Sequence, residues 1–412
     1  MSRLEELIQQ LCPDGVEYKE LGEVATVSRG GNFQKKDYVE NGFPCIHYGQ
    51  IYTRYNLFLY DVASYISPQT AEKQKKAVHG DIVMAVTSEN IEDVCKCVAW
   101  LGNGEIAVSG HTAIIHHKLE PKYLVYYLNS SLFYQQKLKL VQGTKVMEVS
   151  PDKLKKVRLP VPPLEVQQEI VRILDQFTEL TAELTAELTA ELTARKKQYE
   201  YYRDELLMNP NGGRCMKIID MLSQPITDGP HTTPVFVESG VPFVSVDSVW
   251  DGKIHFERMR GYITEEFDLE CCKKYKPQKH DVYMVKSGST TGKVAYVDTD
   301  DRFNIWSPLA AMRVNENNSS RYLYHLLQTK DVQRKVKEKS SHGSQPNLSM
   351  RALEQFVVNV PSLEEQYRIV AVLDRFDALC NDLTSGLPAE IEARRKQYEY
   401  YRDKLLSFKV KA

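Results

Sequence analysis

The sequence predicts an α+β protein in which two mixed α/β domains are separated by two long antiparallel coiled-coil helices, with a pseudo-twofold internal repeat. Three observations carry this expectation. Arg195-Lys-Lys-Gln-Tyr-Glu-Tyr-Tyr-Arg-Asp-Glu-Leu-Leu207 returns 199 residues later as Arg394-Arg-Lys-Gln-Tyr-Glu-Tyr-Tyr-Arg-Asp-Lys-Leu-Leu406, with 11 of 13 positions identical. Val161-Pro-Pro-Leu-Glu-Val-Gln-Gln-Glu-Ile-Val returns at the same offset as Val360-Pro-Ser-Leu-Glu-Glu-Gln-Tyr-Arg-Ile-Val. Such a period is far longer than a solenoid unit and marks a duplicated domain plus helix. The stretches between the repeats are rich in short β-type runs punctuated by turn residues.

Residues 1–16 form a stub. Arg3-Leu-Glu-Glu-Leu-Ile8 resembles Arg203-Asp-Glu-Leu-Leu207 at an offset of about 200, so the chain begins inside the repeat unit. The stub is expected to complete the C-terminal helical region, giving a quasi-circular molecule with neighbouring termini.

Residues 17–160 and 209–359 form the two domains. Asp81-Ile-Val-Met-Ala-Val and Asp281-Val-Tyr-Met-Val are typical strand runs, and a short helix comes after them in each half, at Pro121–Leu128 and Ser320–Leu327. The halves share a skeleton: Gly42-Phe-Pro matches Gly240-Val-Pro, and Lys122-Tyr-Leu matches Arg321-Tyr-Leu. The loops between skeleton points differ, as expected if each domain recognises its own target.

Residues 161–208 read as one continuous helix. Pro162 and Pro163 mark its start, since proline is tolerated only in a first turn. Apolar residues at Ile173, Phe177, Leu180, Leu184, Leu188 and Leu192 make a helical stripe. Val372, Phe376, Leu379, Leu383, Leu387 and Ile391 repeat it in the same register. Each stripe is the obvious partner of the other in a coiled coil. Thr-Ala-Glu-Leu is written three times over residues 181–192, a run that resembles a ruler made of interchangeable units. Four residues advance a helix by about 6 Å, and roughly 45 residues span about 68 Å. The spacer residues are Leu180, Leu184, Leu188 and Leu192. In residues 360–412 the counterpart helix contains Gly386 and Pro388, which predict a stop and a restart. Tyr201 and Tyr400 point away from the stripe and suit a docking surface for another protein, with packing against the chain's own domains as the alternative.

With 412 residues the chain can hold two or three domains, and 42% hydrophobic with 26% charged residues is ordinary for a soluble protein. No run of 18 apolar residues exists and Met1-Ser-Arg-Leu-Glu-Glu is no secretory leader, so a cytoplasmic protein without membrane contact is expected. The eight cysteines then read as reduced thiols, and Cys95-Lys-Cys97 and Cys271-Cys272 lack a second pair at zinc spacing. A net charge of −2 excludes a uniformly basic surface but leaves room for basic patches.

The repeat architecture, the Val-Pro-x-Leu-Glu-x-Gln helix openings, the Thr-Ala-Glu-Leu tetrads and the Arg-x-Lys-Gln-Tyr-Glu-Tyr-Tyr-Arg-Asp segments together resemble the specificity (S) subunit of type I restriction–modification enzymes. The tetrads together with the Tyr-rich segment resemble the subfamily in which tetrad copy number varies. The resemblance spans the whole chain. It implies two target-recognition domains, 17–160 and 209–359, each reading one half of a split site in double-stranded DNA. It also implies that the helices separate these domains and bind two methyltransferase (M) subunits, which motor–nuclease (R) subunits join. S-adenosylmethionine, ATP and magnesium are then expected on the partners, and no cofactor or metal on this chain.

Base-reading residues do not transfer by motif, because recognition domains vary within that family. Polar loops near strand ends nominate candidates instead. In the first domain these are Arg29, Asn32, Gln34, Lys35 and Lys36, then Gln50, Arg54 and Tyr55, and Lys145 before the exit. In the second they are Lys286, Ser287, Ser289, Thr290, Thr291 and Lys293, with Ser344, Gln345 and Asn347. Lys153-Leu-Lys-Lys156, Lys273-Lys-Tyr-Lys276 and Arg334-Lys-Val-Lys337 are phosphate candidates, although charge runs are usually solvated faces.

Catalysis by this chain is not expected. Gly288-Ser-Thr-Thr-Gly-Lys293 has three residues between its glycines, where a phosphate loop needs four. Met208-Asn-Pro-Asn211 departs at its third position from the Asn-Pro-Pro-aromatic motif of amino-methyltransferases, and no Gly-x-Gly-x-x-Gly loop exists. Two alternatives stay open at this point: a coiled-coil scaffold without nucleic acid, and a remnant of a single-chain restriction enzyme. If two domains read the same face of B-DNA, their targets lie about 10 base pairs apart centre to centre, leaving an unread spacer of roughly 5–8.

Overall fold

The computed structural model describes residues 2–341, 345–381 and 385–411. Leu383 of the second stripe, and Ser344 among the loop candidates, lie outside them. The chain folds as two compact units, residues 1–186 with 392–412 and residues 187–391. These bounds differ from the linear division read from the sequence, because each unit takes one recognition-type domain together with stretches of two helices. The fold is mixed α/β, duplicated, with antiparallel coiled-coil helices.

In the first unit a five-stranded sheet runs in the order Ala25–Arg29, Thr112–His117, Ile82–Ala85, Cys97–Trp100, Phe58–Leu59. Only the last pair is parallel. Ile82–Ala85 and Cys97–Trp100 are buried throughout, which is why they read as unbroken apolar runs instead of alternating ones. A second five-stranded sheet is built around Phe43–Ile46 and Ile106–Val108. The helix Pro121–Leu128 enters the core with Tyr123 to Leu128 all buried. Its start is set by Glu120, whose carboxylate accepts the Tyr123 N–H at 2.6 Å, and by Pro121 in the first turn.

The second unit repeats the plan in shorter form. Its main sheet is Thr227–Asp228, Leu309–Met312, Val282–Val285, Val294–Tyr296, and a three-stranded sheet centres on Val241–Val244. The helix Ser320–Leu327 occupies the place of Pro121–Leu128, again with six residues buried.

The duplicated helix openings have a structural reason. Gln167 is buried, accepts the Glu120 N–H at 2.9 Å and donates to the Pro162 carbonyl at 2.7 Å. Gln366 accepts the Ser319 N–H at 2.8 Å and donates to Pro361 at 3.1 Å. Each glutamine thus ties the first turn of a long helix to the start of its domain's core helix. A polar group this deep is tolerated because it is hydrogen-bonded on both sides.

The helix Leu164–Met208 is unbroken over 45 residues, whereas its counterpart is divided into Leu363–Asn381 and Leu387–Leu405. Pro388 stands in the first turn of the second piece. In the first unit the Phe177 and Tyr401 rings stack at 6.1 Å and 2°, and the Thr178 and Tyr398 hydroxyls meet at 2.9 Å, as antiparallel pairing requires. The second unit pairs Phe376 with Tyr202 at 5.6 Å and 28°. Along the tetrads Leu184, Leu188 and Leu192 are half-buried, while Leu180 is 60% exposed, so the stripe is uneven.

The stub forms a helix, Arg3–Leu11, opened by a Ser2–Glu5 capping box. Leu4 lies in the same core as Leu406, with Leu405 and Phe408 packed against it. Beyond it Val16 pairs with Val410: the Val16 N–H reaches Lys409 O at 2.8 Å, and the Lys411 N–H reaches Val16 O at 3.0 Å. Both described ends of the chain therefore belong to one unit. No described helix is long and apolar enough to cross a membrane.

Candidate nucleic-acid interface

In the first unit, loops converge at the end of the main sheet. Residues 142–148 close a hairpin through reciprocal backbone bonds between Gln142 and Glu148, at 2.9 and 2.8 Å. Gly143 turns it at φ +94°, where a Cβ would lie 2.1 Å from the Val146 carbonyl. Met147–Glu148 pairs with Thr87–Ser88, which holds Lys145 out at the exposed tip. Arg29 joins this cluster from the end of its strand. Its Nε donates to the Gly110 carbonyl at 2.8 Å, and its Nη2 lies 2.9 Å from Glu148.

The other candidates of this unit separate into two kinds. Gln50 accepts the His47 N–H at 2.8 Å and donates to Ser64 at 2.6 Å, and the Tyr55 hydroxyl accepts the Ala63 N–H at 2.9 Å. Both hold their loop together. Arg54 is exposed at the end of the helix Tyr48–Thr53, and the side chains of Asn32, Gln34 and Lys36 border a polar depression of about 430 Å³. The backbone at Lys35 lies in the 3-10 turn Lys35–Asp37.

One group escaped the sequence reading. The Tyr48 ring lies 4.3 Å from His47 and 5.1 Å from His111. His47 Nδ1 accepts the Gly49 N–H at 3.2 Å, and burial, then the neighbouring His111, pushes its pKa down. No spacing rule links residues 48 and 111, so only the fold could reveal this surface.

In the second unit the corresponding backbone is tied between Ser341 and Asn347. The Ser341 N–H donates to the Asn347 carbonyl at 3.1 Å, and the Asn347 N–H donates to Ser341 Oγ at 3.1 Å. Asn347 bridges to Ser287, while Gly288 and Leu348 donate backbone bonds to Pro346 and Lys286. Gln345 and Asn347 are exposed there. Thr291 is occupied internally, its hydroxyl donating to Gly288 O at 2.7 Å. Ser289, Thr290 and Lys293 border a depression of about 520 Å³. The Lys293 ammonium sits 4.4 Å from the centre of the Trp250 ring, and Arg258 sits 4.7 Å from it.

Lys286 differs from its expected role. Its ammonium lies inside the unit, 3.3 Å from the buried carboxylate of Asp228, which Lys274 and His231 also face. The basic runs are likewise neutralised in part. Lys155 pairs with Asp152, Lys273 with Glu270, Lys335 with Asp331, and Arg334 with both Asp331 and Glu338. These pairs at helical spacing consume part of the charge that the linear sequence advertises. Tyr201 and Tyr400 are 59% and 62% exposed, each edge-on to the neighbouring tyrosine.

The sequence pattern of the type I restriction modification DNA specificity domain matches residues 13–194 and 238–393. The chain belongs to this family. Among relatives, the EcoR124I/EcoR124II specificity subunit of Escherichia coli is 37% identical over 267 residues, covering 62% of this chain and 63% of that protein. The chain thus spans less than two thirds of that relative. A type I restriction enzyme specificity subunit of Haemophilus influenzae is 33% identical over 313 residues, or 74% of this chain and 77% of its own. Two solved structures share the specificity-family fold, each at 18% identity. One comes from work on complex assembly and conformational transition of the type I R-M system, with TM-score 0.67 over 95% of this chain and 97% of that one. The other is the HsdS subunit from Thermoanaerobacter tengcongensis, with TM-score 0.53 over 96% and 97%.

Proposed function

We propose that this chain is the DNA-reading, non-catalytic subunit of a type I restriction–modification complex. Each unit contacts one half of a bipartite, asymmetric duplex site, and the helices set the distance between the halves. Two methyltransferase subunits dock on the helical regions, with the exposed Tyr201 and Tyr400 in their contact surfaces, and motor–nuclease subunits join through that core. S-adenosylmethionine, ATP and magnesium belong to the partners, and the complex works in the cytoplasm.

One observation supports this reading above the others. Each unit braces a segment against a strand end, residues 142–148 on 87–88 in the first and residues 346–348 on 286–288 in the second, yet the described side chains displayed there differ. One frame with two sets of exposed polar groups is what recognition of two different half-sites requires.

The test is binding of the chain, with methyltransferase subunits, to a pool of duplexes containing two randomised segments at varied separation. The proposal expects one bipartite sequence with an unread spacer of roughly 5–8 base pairs. Affinity should fall as about the sixth power of salt concentration or more steeply. Binding indifferent to sequence and spacing would overturn it.

A further inference from the structure

We propose that the depression beside residues 32–37 reads an adenine in the half-site contacted by the first unit. The inference rests on the DNA-reading function proposed above and names the base and the residues that select it.

The depression is a separate feature from the hairpin cluster, reached along the same segment that begins at Arg29. Gly30 and Gly31 lead into it: the Gly30 N–H donates to Thr112 O at 2.9 Å and the Gly31 N–H to Val108 O at 2.7 Å. Gly30 has no room for a side chain, since a Cβ would stand 2.1 Å from Ser109 O, and at Gly31 a Cβ would displace the Gln74 side chain, whose Oε1 would lie 2.0 Å away. The segment is therefore fixed against the sheet where it leaves the strand, and residues 32–37 are displayed from a rigid base.

The side chains that border the depression are mainly amides and amines. Asn32, Gln34 and Gln69 are exposed carboxamides around the same depression, with the ammonium groups of Lys36 and Lys73 beside them. A fourth amide, Gln74, is set deeper, its Nε2 donating to Thr70 O at 3.1 Å. The one acid of the depression is engaged locally, since Asp37 accepts the Gln34 N–H at 2.6 Å. On the opposite wall, the Ser67 hydroxyl caps the helix Pro68–Glu72 that carries Gln69.

A carboxamide offers one donor and one acceptor side by side. That pair matches the N7 acceptor and N6 donor of adenine in the major groove, whereas guanine presents two acceptors and selects arginine or lysine. The two lysines supply non-selective contacts to the flanking phosphates. No guanidinium borders this depression. In the second unit, by contrast, Arg258 and Lys293 lie on Trp250. The two depressions therefore differ in their cations: ammonium groups alone border the first, whereas the guanidinium of Arg203 joins Lys293 at the second.

The experiment is selection from randomised duplexes by the full chain with methyltransferase subunits, for wild type and for Asn32→Ala, Gln34→Ala, Gln69→Ala and Gln69→Glu. Wild type should select adenine at one or more positions of the first half-site. At least one alanine variant should lower that preference by roughly 5- to 100-fold at a single position. The second half-site and the other positions of the first should remain selected, the latter reporting that the substituted unit is folded. Gln69→Glu should move preference toward cytosine, whose N4 donates to a carboxylate, an outcome that misfolding does not produce. Lys36→Gln and Lys73→Gln should weaken all sequences alike and reduce the salt dependence by about one power each. A first half-site without adenine, or unchanged selection by all four amide variants, would overturn the adenine assignment while leaving DNA reading intact. Wild type without any sequence preference would overturn both.

Discussion

His325 Nε2 lies 2.7 Å from Asp374 Oδ1, where the first unit instead sets the Tyr126 hydroxyl 2.8 Å from Asp175. The positions correspond across the 199-residue repeat, as do Arg321 and Lys122, which pair with the same two aspartates. A carboxylate only accepts, so Nε2 carries the proton, and Nδ1 then accepts from the Tyr199 hydroxyl at 2.9 Å. The duplicated frame has kept its geometry while exchanging a phenol for an imidazole.

This exchange makes the second unit acid-sensitive. Burial pushes the His325 pKa below its usual value, although the hydrogen bond to Asp374 works the other way. The unfolded chain therefore binds the extra proton first as pH falls. Stability from this group is complete above about pH 6.5 and is lost toward the lower folded value, by at most about 1.4 kcal/mol per pH unit. Urea unfolding of wild type and His325→Tyr between pH 7.5 and 5 checks this. Wild type should lose stability over that range more steeply than the variant, and parallel curves would refute the assignment.

A second prediction concerns the buried glutamines. Gln167→Leu or Gln366→Leu leaves a backbone N–H, of Glu120 or Ser319, without its partner. Each should cost about 1–3 kcal/mol, measured by chemical denaturation. A loss confined to the unit that carries the substitution is expected, and hydrogen exchange locates it.

Lys145 and Lys286 should behave oppositely. Lys145→Ala removes an exposed ammonium at a hairpin tip. It should weaken DNA binding evenly across sequences and lower the salt exponent by about one, with stability unchanged. Lys286→Ala removes one cation from the buried Asp228 and should destabilise the second unit by about 1–3 kcal/mol. Salt titrations and melting curves on the same two proteins separate the roles.

The tetrads make a geometric prediction. Deleting Thr189-Ala-Glu-Leu192 removes about 6 Å of helix, under two base pairs at 3.4 Å each. The unread spacer should shorten by one or two base pairs with both half-sites unchanged. Methylome sequencing of cells carrying the deletion decides it, and altered half-sites would refute the ruler.

The parts of this fold that were legible in the sequence are those written with a period. The unbroken helix stems from apolar spacing and the absence of breakers, and the divided one from Gly386 and Pro388. Gln167 and Gln366 were visible as repeated letters, but their purpose depends on helix starts 47 residues away. The interface was less legible for the same reason. Lys286 reads as a loop cation until the fold brings Asp228 beneath it, and Tyr48 meets His111 only through the sheet. Arg29, Gln50 and Tyr55 have the right chemistry for DNA but spend it on their own loops. Local sequence specifies donor and acceptor type, whereas orientation is decided by neighbours distant in the chain.

The pairing of Val16 with Val410 has a consequence for the order of events during synthesis. The second unit is one uninterrupted stretch, 187–391, and can close as soon as it has left the ribosome. The first unit emerges earlier but lacks residues 392–411, which carry Tyr398, Tyr401, Leu406 and the partner of Val16. The half that is translated first is therefore the last to be finished. Until then Phe177 lacks the Tyr401 ring that stacks on it.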